Sequence, residues 1–314
     1  MDLSKKRILL TGGHGFLGSY VLKALQRRGC TDVFVPSHSE YDLRNIENIK
    51  KVLSFSKPEI VLHLAAILGG IGAHIHNQGV YLYDNLLMGL EMMEQSRMFD
   101  VEKFVNIGTS CSYPAVQPRP VKEDHLWQGF PEKTTSSYGI AKLVLLLQGQ
   151  TYREQYGMNT ICVIPANVYG PRDTTDPAKT HIIPAMLVQC AKAIEEGKPL
   201  VVWGTGKATR EFVYVEDVAE AIVRATESYD KIEPVNIGTG VETSIRDVVL
   251  EIAKAMGHDG SLVWDSTKPD GHPGRVFDVS RAYEEFGFKS TVSLSEGIRR
   301  TVDWYKETQW KTQS

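Results

Sequence analysis

Short apolar runs alternate with helix-periodic stretches along the first half of the chain. Ile8-Leu9-Leu10, Val33-Phe34-Val35, Ile60 to Ala66 and Phe104 to Gly108 are runs of the kind that a parallel sheet buries on both faces. Between them, Ser19 to Arg28 and Tyr81 to Met98 space their apolar residues for helices, and a further helix starts near Tyr138 and continues through Leu147. Strand then helix, repeated, predicts an α/β fold with a doubly wound parallel sheet. Past residue 170 the alternation loosens, and 174–189, 203–212 and 257–278 read as loops and short elements of a second, smaller lobe. Val235-Asn236-Ile237-Gly238 supplies one more core strand, so the two lobes interleave in sequence.

The first strand runs into Thr11-Gly12-Gly13-His14-Gly15-Phe16-Leu17-Gly18 and then directly into a helix. A helix N-terminus presents unpaired N–H groups and a positive dipole end, and glycines at 12, 15 and 18 let a pyrophosphate reach them. The turn is a dinucleotide cradle. At the end of the second strand an acidic residue would grip the ribose hydroxyls of NAD, but Pro36-Ser37-His38-Ser39 stands there. Ser37, His38 and His14 are donors suited to a 2′-phosphate, which favours NADP(H), although no arginine clamps it. Asp42-Leu43 then begins a connection that either lies near the adenine or is a helix cap by Asp42.

Bulk composition narrows the partners. A chain of 314 residues with a formal charge of −3 has no basic field for nucleic acid. No apolar stretch is long enough to span a bilayer, and Met1 to Lys6 leads into a strand rather than a signal segment, so a cytoplasmic enzyme is expected, with no membrane partner. Cys30, Cys111, Cys162 and Cys190 have no paired spacing, which argues against a disulfide framework or a metal site. Three of them read as buried apolar residues; Cys111 is the exception.

Small residues end the strand at Leu64-Ala65-Ala66, which lets a flat ligand lie close, and the next strand delivers Thr109-Ser110-Cys111 to the same edge. Ligands of open parallel sheets bind at the carboxyl ends of strands. Tyr138 and Lys142 lie four residues apart, on one helix face. An ammonium beside the phenol is expected to lower the tyrosine pKa and so tune an acid-base pair.

The ordered set of the glycine turn at 11–18, His63-Leu64-Ala65-Ala66, Thr109-Ser110, and Tyr138 with Lys142 resembles the extended short-chain dehydrogenase/reductases, over nearly the whole chain. The resemblance implies a Rossmann doubly wound sheet with a smaller, interleaved C-terminal α/β substrate lobe. It divides the chain into 1–170, joined by about 213–240, for NADP(H), and 171–314, mainly for a sugar nucleotide. It also implies a catalytic set of Thr109, Tyr138 and Lys142. Cofactor contacts carry over to Gly12, Gly15, Phe16, Leu17, Gly18, His38, Asp42, Leu43, Leu64, Ala65, Ala66, Tyr138, Lys142, Pro165, Asn167, Val168 and His181.

Further motifs narrow the resemblance. Gly108 to Pro114, Ile164 to Pro171, Thr180 to Ala185, Val202 to Gly206, Arg210-Glu211-Phe212 and Lys268 to Gly271 resemble the branch that acts on a GDP-linked keto-deoxy sugar. That branch epimerises GDP-4-keto-6-deoxy-D-mannose at C3 and C5 and reduces it at C4 with NADPH. It assigns the epimerisation to residues at the positions of Cys111 and His181. Both residue types titrate near neutrality, which suits them to remove and return protons made acidic by the C4 ketone. Substrate contacts fall on Ser110, Asn167, Trp203, Arg210, Lys268 and Arg275. Guanidinium forks match a diphosphate, and Trp203 either stacks on guanine or packs. A homodimer is implied, through helices from about Tyr81 and Ala141, although a core face explains the same residues.

One departure stands out. The branch often places an arginine on the helix after His181, where this chain reads Met186-Leu187-Val188-Gln189-Cys190. This leaves open a sister 4-reductase or epimerase acting on a different GDP-keto-sugar. A 4,6-dehydratase would carry an Asp-Glu pair where Ser110-Cys111 stands. A regulatory NADP-binding protein without turnover would not need the Thr-Tyr-Lys set.

Overall fold

The computed structural model describes residues 1–177, 179–267 and 274–310. The first half runs β1 (Ile8–Thr11), α1 (Phe16–Arg27), β2 (Val33–Phe34), α2 (Ile46–Ser56), β3 (Ile60–His63), α3 (Ile71–His76), α4 (Gln78–Met98), β4 (Lys103–Ile107), α5 (Ser136–Tyr156) and β5 (Thr160–Pro165). The second runs β6 (Asn167–Tyr169), α6 (Ile182–Glu196), β7 (Leu200–Trp203), β8 (Thr209–Arg210), β9 (Phe212–Tyr214), α7 (Val215–Ser228), β10 (Val235–Ile237), β11 (Thr243–Ser244), α8 (Ile245–Met256), β12 (Leu262–Asp265), α9 (Ser280–Phe286) and α10 (Leu294–Tyr305).

Six parallel strands form the central sheet in the order β10-β5-β4-β3-β1-β2. Alternate residues of each strand point to opposite faces, and both faces are covered. Ile8, Leu10, Ile60, Leu62 and Val105 join Val21, Ala24 and Leu25 of α1 and Val218 and Ile222 of α7 in one core. Leu9, Val61 and Phe104 join Ile49, Val52 and Leu53 of α2 and Met88, Met92 and Met93 of α4 in the other. The strand order reverses between β1 and β3, so the crevice for a ligand opens at their carboxyl ends.

A third core, separate from the sheet, gathers Ile183, Met186, Leu187 and Cys190 of α6, Leu200 and Val202 of β7, Val248, Val249 and Ile252 of α8, and Ile298 and Val302 of α10. Here the structure corrects the sequence reading. The stretch 174–189, read as loops and short elements, contains most of a fifteen-residue helix, α6, whose His181 precedes it and whose Gly197 ends it in the left-handed conformation. Apolar residues at 183, 186, 187 and 190 give it a buried stripe at helical spacing. β6 pairs with β9 in parallel, so the chain crosses into this core and returns before β10 completes the sheet. After Tyr305, Lys306–Trp310 forms a π-helical turn, and Trp310 Nε1 donates to Glu195.

Among the described residues no helix is long and apolar enough to cross a membrane. Cys30, Cys162 and Cys190 are buried and Cys111 is only partly so.

Candidate active site

The turn after β1 closes with Gly15 N–H donating to the Gly12 carbonyl at 3.0 Å. Gly12 adopts φ 70°, and a Cβ there would lie 2.7 Å from the backbone nitrogen of Ala65, so only glycine lets the turn pass against the end of β3. Gly15 is the residue that caps α1, with extended backbone and no side-chain bond. The N–H groups of Phe16, Leu17 and Gly18 therefore lie in the first turn, ahead of any intrahelical acceptor. The cradle, its donors and the clearance at Gly15 fit a dinucleotide pyrophosphate.

Leu64, Ala65 and Ala66 leave the sheet half-buried beside it. Thr11 Oγ1 ties the two strand ends, 2.9 Å from His63 Nδ1 and 3.2 Å from the Ala65 nitrogen, which donates to it. At the end of β2, the Asp42 carboxylate is held by Arg44 at 2.7 Å and pushed down to about 2, mainly by that pairing. Arg44 also reaches Asp84, so its guanidinium lies between two carboxylates. The residue that caps α2 is Asn45, not Asp42. His38 lies close enough to Asp42 to lower its pKa further, and the Leu43 side chain is buried with α2 and α4.

Thr109 follows β4 and caps the short 3-10 turn Ser110–Ser112, its hydroxyl accepting from Cys111 N–H at 3.2 Å. That turn is docked on the start of α5. Ser112 Oγ donates to the Gly139 carbonyl at 2.9 Å, and Gly139 packs on the Cys111 carbonyl so closely that a Cβ would displace it. Thr109, Cys111, Tyr138 and Lys142 are thereby brought together.

Tyr138 is 8% exposed and Lys142 3%. Burial raises the Tyr138 pKa above its ordinary value, and charge at Cys111 would raise it further. This corrects the expectation that Lys142 lowers it. Burial also pushes Lys142 down to about 8, so the ammonium itself is weakly held and desolvation of the phenol wins.

Asn167 stands exposed at the end of β5, its side-chain amide donating to the Glu211 carbonyl at 2.8 Å; Pro165 before it is buried and Val168 after it half-buried. His181 is 47% exposed, with Nδ1 3.6 Å from the buried Asp173 carboxylate.

Sequence reasoning missed His74. Its ring is buried, 4.8 Å from that of Tyr81 and 5.9 Å from that of Tyr138 between centroids. Burial lowers its pKa, and the charge of nearby His181 adds to this. His74 thus lies beside Tyr138 and within electrostatic reach of His181. Two histidines in the short stretch after Gly70 were the only available signal.

A family model described as the NAD dependent epimerase/dehydratase family matches residues 8–238. The chain belongs to this epimerase/dehydratase family. It is 35% identical to GDP-L-fucose synthase 1 of Arabidopsis thaliana, covering 97% of this chain and 94% of that protein, and 32% identical to the GDP-L-fucose synthase of Escherichia coli K12, covering 98% of each. Among solved structures, a GDP-6-OMe-4-keto-L-xylo-heptose reductase from C. jejuni superposes with a TM-score of 0.91 at 28% identity, covering 98% of this chain and 99% of that one. A GDP-L-fucose synthetase from Naegleria fowleri, bound to NADP, superposes with a TM-score of 0.87 at 27% identity, covering 96% and 94%.

In this family member the arginines expected at a diphosphate have different surroundings. Arg210 is half-buried, donates to the Thr209 carbonyl at 2.6 Å, and is lowered in pKa by burial and by Arg119. Arg275, expected at the diphosphate, instead commits its guanidinium to the carbonyls of Ser110, Tyr113 and Pro114 and lies over the Tyr113 ring. It braces the loop that carries Ser110 and Cys111. Trp203 is 71% exposed. Lys268 lies outside the described residues.

Glu211 is the second residue the sequence undersold. It is 1% exposed, and its carboxylate accepts from the backbone N–H of Thr239, Gly240 and Phe277 at 2.6, 2.8 and 2.6 Å. It joins the end of β10 to the segment after Arg275.

Proposed function

We propose that the chain is an NADP(H)-dependent epimerase/reductase that converts GDP-4-keto-6-deoxy-D-mannose to GDP-L-fucose by epimerisation at C3 and C5 and reduction at C4. The observation that carries this reading is the placement of Cys111, from the end of β4, beside Tyr138 at the start of α5, with His181 at the entrance of α6 near enough to influence His74, whose ring lies 5.9 Å from that of Tyr138.

The glycine turn, Phe16 and Leu17 would hold the cofactor pyrophosphate, with His38 and Asp42 toward the adenosine, Leu64 to Ala66 beneath the rings, and Pro165, Asn167 and Val168 at the nicotinamide end. NADPH supplies a hydride when bound. Thr109 and Tyr138 would hydrogen-bond the C4 oxygen, and Tyr138, protonated throughout the neutral range because its pKa is raised, is the proton donor. Lys142 would hold the nicotinamide ribose. The C4 ketone acidifies the protons at C3 and C5; Cys111 and His181 would remove and return them from opposite faces of the ring. Ser110, Asn167, Trp203 and Arg210 are the substrate contacts of this reading, with Lys268 among them, and the neighbouring charges of Arg119 and Arg210 favour a diphosphate.

α4 and α5 pack side by side and leave Val80, Leu82, Tyr83, Leu147 and Tyr156 exposed. A second copy covering that face would make a homodimer with a four-helix interface.

One observation favours a sister reaction: the helix after His181 reads Met186-Leu187-Val188-Gln189-Cys190, without the arginine that the fucose-forming branch often carries there, and reductases of GDP-heptoses superpose as well as the fucose synthetases do. The deciding experiment follows NADPH consumption and the sugar product by NMR for wild type and Cys111→Ser. GDP-fucose from wild type, with loss of inversion but not of hydride transfer in the variant, is the expected result. Reduction of the ketone without inversion in wild type assigns the sister 4-reductase instead.

A further inference from the structure

The loop between β6 and α6 holds a carboxylate that the proposed chemistry does not use. Asp173 is 5% exposed. Its Oδ1 accepts from Thr174 N–H at 2.8 Å, whereas its Oδ2 is buried with no hydrogen-bond partner and stands 3.6 Å from His181 Nδ1. An unpaired buried carboxylate oxygen is costly and calls for a partner.

The backbone is bent to place it. Arg172, immediately before, is a non-glycine residue at φ 73°, and Asp173 N–H closes the turn on the Gly170 carbonyl at 3.3 Å. His181 is fixed from the other side, because the Thr180 carbonyl packs directly against Gly70, in the loop that leads to His74.

We propose that Asp173 is the positioning residue of His181: Oδ2 accepts the Nδ1–H, so that the neutral ring is held as the Nδ1–H tautomer and Nε2 is the nitrogen that exchanges a proton with the sugar. Moving the pair about 0.6 Å closer gives an ordinary hydrogen bond. The ring then cycles between imidazolium and one neutral form. When it donates, the Nε2–H bond breaks and a C–H bond forms at the sugar carbon; when it accepts, the reverse occurs and the electron pair is left in the enolate. Nδ1–H stays on Asp173 throughout, and the carboxylate stabilises the imidazolium. This rests on the epimerase reading of the site. The charged and titratable groups that face the ring are Asp173 and His74; Lys179 pairs with Asp176 in the same loop, and Glu132 acts on His74 from the segment before α5.

The test uses the full-length enzyme with NADP(H). Incorporation of solvent deuterium at C3 and C5 of GDP-4-keto-6-deoxy-mannose reads epimerisation, and oxidation of GDP-L-fucose by NADP+ reads hydride transfer without it. Asp173→Asn is expected to slow deuterium incorporation about 10- to 100-fold and to shift its pH profile. Fucose oxidation and the melting temperature should be maintained, and Asp173→Glu should restore part of the exchange. Undiminished exchange in Asp173→Asn overturns the proposal, as does a parallel fall in exchange, oxidation and melting temperature. Should the variant fail to fold, wild type labelled with 15N-histidine decides, with His181 assigned through His181→Asn. Protonation at Nδ1 in the neutral ring supports the dyad and protonation at Nε2 overturns it. A wild type that reduces the ketone with no deuterium incorporation defeats the epimerase reading, and the tautomer alone then decides the role of Asp173.

Discussion

Tyr138 and Lys142 share one face of α5, and burial moves their two pKa values apart, the phenol up from its ordinary value and the ammonium down to about 8. The phenol is therefore the acid across the neutral range, and the lysine is the group that titrates near it. Replacement of Tyr138 by phenylalanine removes only the proton donor. The variant is expected to bind NADPH normally, by fluorescence titration, while its rate of ketone reduction falls about 10²- to 10⁴-fold.

The pH dependence follows from Lys142. With its pKa at about 8, the ammonium is complete below that pH and lost above it, so kcat/KM for reduction should fall as pH rises through about 8. Lys142→Arg keeps its charge at every accessible pH. Its profile, measured over the same range, should be lower in height but lack the limb near 8.

The same shift affects stability. Unfolded, the lysine returns toward its ordinary value of 10.5, so between about 8 and 10.5 the unfolded chain binds more protons than the folded one. This side chain therefore opposes folding at neutral pH, and its penalty is relieved as pH rises through that window. Urea titrations should show Lys142→Met gaining stability over wild type at pH 7 and losing that advantage above pH 10.

The glycine turn separates fold from binding. At Gly15 a Cβ would meet only the Gly12 carbonyl oxygen, at 3.2 Å, whereas at Gly12 it would strike the end of β3 from a left-handed backbone. Gly15→Ala is expected to keep its melting temperature within about 2 °C and to weaken NADPH binding about tenfold or more, since the methyl group stands where phosphate approaches. Gly12→Ala should lose both stability and binding.

Glu211 is expected to matter for stability. Alanine there leaves the buried N–H of Phe277 and the part-buried N–H groups of Thr239 and Gly240 without their acceptor, at a cost of about 3 kcal/mol. Thermal unfolding of Glu211→Ala should shift down by about 5 °C or more, with Glu211→Gln intermediate.

What the chain determined by itself is whatever its local spacing encodes. Apolar runs marked the strands β1, β2, β3, β4 and β10 to within a few residues, the glycines at 12, 15 and 18 marked the cradle, and the four-residue interval placed Tyr138 and Lys142 on one face, because strand alternation and helical repeat are properties of neighbouring residues. The tertiary structure decided everything that depends on burial and on contacts between distant segments. Tyr138 is an acid rather than a softened base because desolvation outweighs a lysine that is itself buried. Arg275 braces the loop at Ser110 instead of standing ready for a phosphate, because that loop lies against it only once β4 and the segment after Gly274 are folded together. His181 meets Asp173 through a strained turn at Arg172, and His74, on α3, brings its ring to 5.9 Å from that of Tyr138. None of these distances is set by sequence interval, and each sets the charge that a reacting group can carry.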